Sequence, residues 1–143
     1  MTGVLDREQL LALVPHAGDM CLLDRVVDFG ADSIHCETAS HRDATNPLRR
    51  ADTLSAVHLV EYAAQAMAAH GALKSDGRAQ PGMLAGLRDV RLHVRYIHDI
   101  PGNLTVRATR RVANRDGLLY EFSVSAADRP LCEGRIAIAL APA

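Results

Sequence analysis

His58, Glu61 and Gln65 lie within a largely apolar stretch of this chain. Their spacing of three and four residues puts them on one face of a helix. Around them Ala56, Val57, Leu59, Val60, Ala63, Ala64, Ala66, Met67, Ala68, Ala69 and Ala72 cover nearly every direction about the axis. A helix that is apolar all round is a buried one. An ionised carboxylate is costly to bury unless it is paired or hydrogen-bonded. Glu61 therefore marks either a site, where an acid–base group is wanted, or a helix end bent toward water with a structural ion pair.

The elements around this helix follow from turn residues and periodicity. Residues 6–13 form a short helix that Asp6 can cap, with Leu10, Leu11 and Val14 on its apolar side. Pro15 ends it, and residues 15–19 turn. Strands are expected over 20–29 and 33–40, the second alternating Ile34, Cys36 and Thr38 against His35 and Glu37. The two make a hairpin. Residues 41–51 are polar, contain Pro47, and form a loop long enough to suspect function. Asp52 or Thr53 caps the central helix, over about 54–73. Four strands follow, over 83–94, 104–112, 118–125 and 131–140. This order describes a single α+β domain spanning 1–143. A curved antiparallel sheet of about six strands wraps one long helix, and a second copy manages the uncovered face and edges.

Composition limits the function classes. The 143 residues suffice for one real core. The 16 basic and 17 acidic residues give a net charge of −1, which argues against a nucleic-acid footprint. Trp is absent, so stacking platforms for bases are poor. No stretch reads as a signal peptide or a membrane span. Cys21, Cys36 and Cys132 are scattered and odd in number; they suit buried, reduced thiols in a cytoplasm. The seven His include no ligand-spaced cluster, so no metal is expected, and no dinucleotide or phosphate-loop motif is present.

Two motifs carry a family resemblance. Leu13-Val14-Pro15-His16, then Met20-Cys21-Leu22-Leu23-Asp24-Arg25-Val26, resembles the opening of the hot-dog-fold 3-hydroxyacyl-(acyl carrier protein) dehydratases. Val60-Glu61-Tyr62-Ala63-Ala64-Gln65-Ala66 resembles their central-helix motif. Gly86-Leu87-Arg88-Asp89-Val90-Arg91 and Glu133-Gly134-Arg135 look like their third and last strands. One departure stands out. Counting back from Glu61 to the position of the family's catalytic His, in a Gly-His-Phe-Pro loop, reaches Pro47 in Thr45-Asn46-Pro47-Leu48. Ser55-Ala56 also replaces the Pro-Gly that opens the family helix. The chain thus looks more like a divergent branch of predicted dehydratases, found with aryl-polyene and fatty-acid-like biosynthesis.

The resemblance implies a hot-dog fold and dehydration of a 3-hydroxyacyl thioester. Such chemistry needs a base for the α proton, an acid for the leaving hydroxyl and a donor at the thioester oxygen. Glu61 matches the family's carboxylate and would serve the hydroxyl. The N–H groups of Ala56 and Val57 would face the thioester oxygen, and Gln65 would hold Glu61 or line the pocket. His16 and His58 are the candidates for the missing imidazole, each with a structural alternative. His41 reads as solvated, and His35, His70, His93 and His98 form no constellation. No cofactor is implied beyond the phosphopantetheine of an acyl carrier protein or coenzyme A that bears the substrate. Arg49-Arg50, Arg88 and Arg110-Arg111 could meet its phosphate or an acidic carrier protein, though a solvated surface explains each as well. The implied assembly is a homodimer or dimer of dimers, with the pocket at the dimer interface beside the start of the helix. A hot-dog thioesterase using the same Glu61 is one alternative. A non-catalytic acyl-binding or partner subunit of a heteromer is another.

Overall fold

The structure, a computed structural model, describes residues 5–13, 20–74 and 82–141. Helix α1 (Arg7–Leu13) opens it. Asp6 caps it: the Asp6 Oδ1 accepts from the Gln9 N–H at 2.9 Å while the Gln9 Oε1 accepts from the Asp6 N–H at 2.9 Å. This is a reciprocal capping box. Strands β1 (Arg25–Phe29) and β2 (Ser33–Thr38) form the expected hairpin. A 3-10 turn at Ser40–Arg42 and further turns lead to a second 3-10 turn at Ala56–His58, which runs into α2 (Leu59–Lys74). Then come β3 (Gly82–Leu92), β4 (Leu104–Ala113), β5 (Gly117–Ala126) and β6 (Arg129–Leu140). All pair antiparallel in the order β1-β2-β4-β5-β6-β3. Helix α2 packs on β2, β4 and β5, and α1 packs against its side. The core between them holds Leu59, Tyr62, Ala63 and Ala66 from the helix against Val106, Tyr120, Phe122 and Val124. Alanine on the helix lets the sheet approach closely.

Four expectations need correction. First, β1 begins at Arg25, not at residue 20. Leu22 spends its N–H on the Gln65 side chain and its carbonyl on the Thr38 and Ser40 hydroxyls, so side chains replace the ladder there. Cys21 therefore lies outside any strand, though all three cysteines are buried and unbonded to one another. Burial pushes the Cys36 thiol up to about 12 and that of Cys132 to about 11.

Second, neither Asp52 nor Thr53 caps the helix. Ala51 and Asp52 have φ of 50° and 63°, and Arg50 and Thr53 exchange backbone hydrogen bonds of 2.8 and 2.9 Å. Two successive left-handed residues inside such a pair make a type I′ turn. The cap shifts to Ser55, whose hydroxyl accepts from the Val57 N–H at 3.3 Å.

Third, α2 does have an uncovered face. Val57 is 54% exposed, and Val60, Glu61, Ala64 and Ala68 are half-buried along the same stripe. Fourth, the strand expected over 83–94 runs over Gly82–Leu92 and leaves most of its apolar side chains exposed. Met83 is 71% and Leu84 55% exposed, although consecutive strand residues point to opposite faces. The strand lies at the sheet's edge, beyond the strands on which α2 packs, and is bulged near Gly86 and again before Arg91. No helix among the described residues is long and apolar enough to cross a membrane.

Candidate functional site

Glu61 sits in the first turn of α2, half-buried, and Gln65 lies one turn on with 1% of its surface exposed. The geometry fixes the orientation of the Gln65 amide. Its Oε1 accepts from the Leu22 N–H at 2.8 Å, which leaves Nε2 to donate. Nε2 gives one hydrogen bond to the Met20 carbonyl at 2.7 Å and another to Glu61 Oε2 at 3.0 Å. Every polar group of Gln65 is thereby used, which satisfies the demand that a buried amide be fully paired. Glu61 is thus held by a group that can only donate to it.

Of the other site residues read from the sequence, His16 lies outside the described residues. His58, in the 3-10 turn before α2, is half-buried; among the described residues no hydrogen bond joins it to Glu61. Ala56 is buried, and its N–H donates to the Arg95 carbonyl at 2.9 Å. That donor is engaged, which corrects its assignment to a substrate oxygen. Val57 remains at the surface, and its N–H makes a long contact of 3.3 Å to the Ser55 hydroxyl.

His41 is not solvated but fully buried, with Nε2 2.8 Å from the Ile100 carbonyl. His70 is likewise buried, between the Tyr120 hydroxyl at 2.7 Å and the Gly30 carbonyl at 3.0 Å. Both imidazoles serve the architecture. Burial pushes both below their ordinary value, so the neutral form is favoured.

Reading the sequence missed a second polar cluster. Tyr62, next to Glu61 but pointing into the core, has its hydroxyl 2.9 Å from Ser40 Oγ and accepts from Asn46 Nδ2 at 3.2 Å. Ser40 Oγ donates to the Leu22 carbonyl at 2.6 Å. The available signal was a single aromatic with a polar tip inside an alanine-rich helix, since a buried Tyr hydroxyl needs a partner. Ser40, Asn46, Pro47 and Leu22 line a cleft of about 340 Å3 that Arg7 and Asp43 border. Its lining includes Thr45, Asn46 and Pro47, the segment where the resembled family carries its His. A larger hollow of about 430 Å3 lies on the sheet, where Arg91, Arg111 and Arg135 alternate with Asp89, Glu121 and Glu133. Among the described residues, Glu61 lines neither. Nor do those residues place three or more His, Cys, Asp or Glu together to hold a metal ion.

Comparison with known proteins fits this arrangement. The chain is similar over 92% of its length, and 90% of the other's, to the dehydratase heterocomplex ApeI:P from Xenorhabdus doucetiae, at 22% identity and a TM-score of 0.81. A mutant thioesterase from Pseudomonas aeruginosa is 19% identical, with a TM-score of 0.67 and 97% and 96% of the two chains covered. A hypothetical thioesterase with coenzyme A from Streptococcus pneumoniae is 9% identical, with a TM-score of 0.59 and coverage of 82% and 84%. At these identities the likeness establishes the hot-dog fold. No curated protein matches the chain. The family profile described as ApeP dehydratase matches residues 8–142. That span takes in the Glu61–Gln65 pair, the Ser40 cluster and all six strands, and the chain belongs to the ApeP-like dehydratase family.

Proposed function

We propose that the protein is a hydro-lyase that dehydrates 3-hydroxyacyl thioesters carried on the phosphopantetheine of an acyl carrier protein or of coenzyme A. The observation that carries this reading is the Glu61 carboxylate held by Gln65, itself anchored to Met20 and Leu22. Glu61 protonates the leaving hydroxyl, which departs as water. The α proton passes to an imidazole, that of His16 or of His58. The Val57 N–H, near the start of the helix, meets the thioester oxygen as charge develops there. No cofactor beyond the carrier arm is assigned. The place of the reaction is fatty-acid-like or polyene biosynthesis in the cytoplasm, a setting that suits three buried, unpaired thiols.

The assembly we assign is a dimer of this chain or a dimer of dimers. The uncovered stripe of α2 and the apolar edge strand β3 support it. The pocket then lies between protomers beside the start of α2.

A second reading is favoured by a specific observation: Asn46 and Pro47 stand where the resembled family carries its catalytic His. In that reading the chain is a partner subunit that binds acyl chains within a heteromer, as the heterocomplex ApeI:P is one. One experiment separates these and the thioesterase alternative. Purified protein is given crotonyl and 3-hydroxybutyryl thioesters, and enoyl absorbance and free thiol are followed together. Enoyl change without thiol is the expected result. Thiol release would make it a thioesterase. Neither signal over several chain lengths would leave the partner-subunit reading in its place.

A further inference from the structure

Leu22 is held from both sides by side chains rather than by a neighbouring strand. Its N–H donates to Gln65 Oε1 at 2.8 Å, and its carbonyl accepts from Ser40 Oγ and Thr38 Oγ1, each at 2.6 Å. The two groups belong to different peptide units, so they do not polarise one another. What they share is the position of the Leu22 Cα. Gln65 in turn takes its orientation from Leu22 and Met20, and it fixes Glu61 Oε2 at 3.0 Å. Ser40 is itself oriented: the Asn46 amide donates to the Tyr62 hydroxyl, so the Tyr62 proton goes to Ser40 and the Ser40 proton to Leu22. Tyr62 and Glu61 are neighbours on α2, so the chain of contacts leaves the helix at residue 62 and returns to it at residue 65.

We infer that Ser40, oriented by Tyr62, is a positioning residue for the Glu61 carboxylate, acting through the Leu22 backbone and the Gln65 amide. This rests on the dehydratase reading for its effect on rate, but its geometric content does not. Side chains that place a reacting group act steeply, because sub-ångström displacement of an acid–base group lowers the rate while leaving substrate binding alone. Ser40 also borders the cleft of about 340 Å3, which leaves room for one added methyl.

The test compares Ser40→Ala, Tyr62→Phe and Ser40→Thr with the unaltered protein. Thr38 still satisfies the Leu22 carbonyl in Ser40→Ala, so the fold is retained. Ser40→Ala and Tyr62→Phe are expected to lower kcat about tenfold with KM changed by less than about twofold. In both, the side-chain NH2 resonances of Gln65 in a nitrogen–proton correlation spectrum should move. Ser40→Thr, which keeps a hydroxyl, should restore both rate and resonances. A lowered melting temperature with unchanged kcat per folded molecule and unmoved Gln65 resonances overturns the inference. Should the unaltered protein turn over no 3-hydroxyacyl thioester, the dehydratase reading fails. The Gln65 resonances then decide the link alone: movement supports it and constancy overturns it.

Discussion

A carboxylate in the first turn of a mostly buried helix has two uses, and one substitution tells them apart. Glu61→Gln keeps the shape and can still accept a hydrogen bond from Gln65, but it carries no titratable proton. If Glu61 is the acid–base group, the variant should lose roughly 10²–10⁴-fold in rate with the fold intact. If Glu61 is only a structural ion-pair member, stability should fall, since breaking a buried pair costs about 3–5 kcal/mol, while rate per folded molecule stays nearly constant. Melting and turnover measured on one sample separate the two. His16→Asn and His58→Asn then identify the imidazole, through a rate loss confined to one of them. Loss in neither would remove His–Glu chemistry from this chain. The pair Glu61–Gln65 was legible in the sequence because helical spacing alone sets residues four apart side by side. Ser40 was not, because it reaches the pair only through a backbone segment whose path periodicity does not encode.

At the scale of elements, periodicity located every strand and the long helix, and it failed where a side chain took over a backbone task. Residues 20–23 form an apolar run that reads as the start of a strand, yet Gln65, Thr38 and Ser40 bind the Leu22 backbone in place of a ladder. Asp52 and Thr53 have the composition of a cap, yet the left-handed pair Ala51 and Asp52 turns the chain first and hands the role to Ser55. The cap has a measurable consequence. Ser55→Ala removes the acceptor for the Val57 N–H and should cost about 1 kcal/mol, the usual worth of a Ser cap. Chemical denaturation would show it as a lower midpoint with unchanged slope. A midpoint that does not move would mean that the Ala56–Arg95 and Ile97–Leu54 backbone hydrogen bonds hold the helix start unaided. The apolar circumference of α2 predicts a helix buried on nearly every side. One stripe of it faces outward instead, since a one-layer sheet covers only one side of a helix.

For the whole molecule, two further outcomes follow from burial. His41 and His70 lock distant segments together as neutral imidazoles, and burial sets both below the ordinary value of 6.5. The unfolded chain therefore binds more protons than the native one as pH falls through about 6.5, and stability is lost in that direction. Melting temperature should be level above about pH 7 and decline from about pH 6.5 downward. A profile that stays level into the acid range would show both imidazoles titrating as they do in water. The second outcome concerns assembly. Met83 and Leu84 are exposed on opposite faces of β3, Leu87 is exposed further along it, and among the described residues the strand's outer edge has no neighbour in the sheet. An apolar, unpaired edge is a template for another strand unless charge or covering protects it. Each large aliphatic side chain moved out of water there contributes about 1.5–3 kcal/mol, so a few suffice for a stable contact. Light scattering at micromolar concentration should therefore report two or four chains. Leu84→Lys combined with Leu87→Lys should shift the protein toward single chains while circular dichroism stays native. Single chains before substitution would end the assembly. An unchanged mass after it would move the contact to the Val57–Ala64–Ala68 stripe of α2, where Ala64→Glu makes the same measurement decisive.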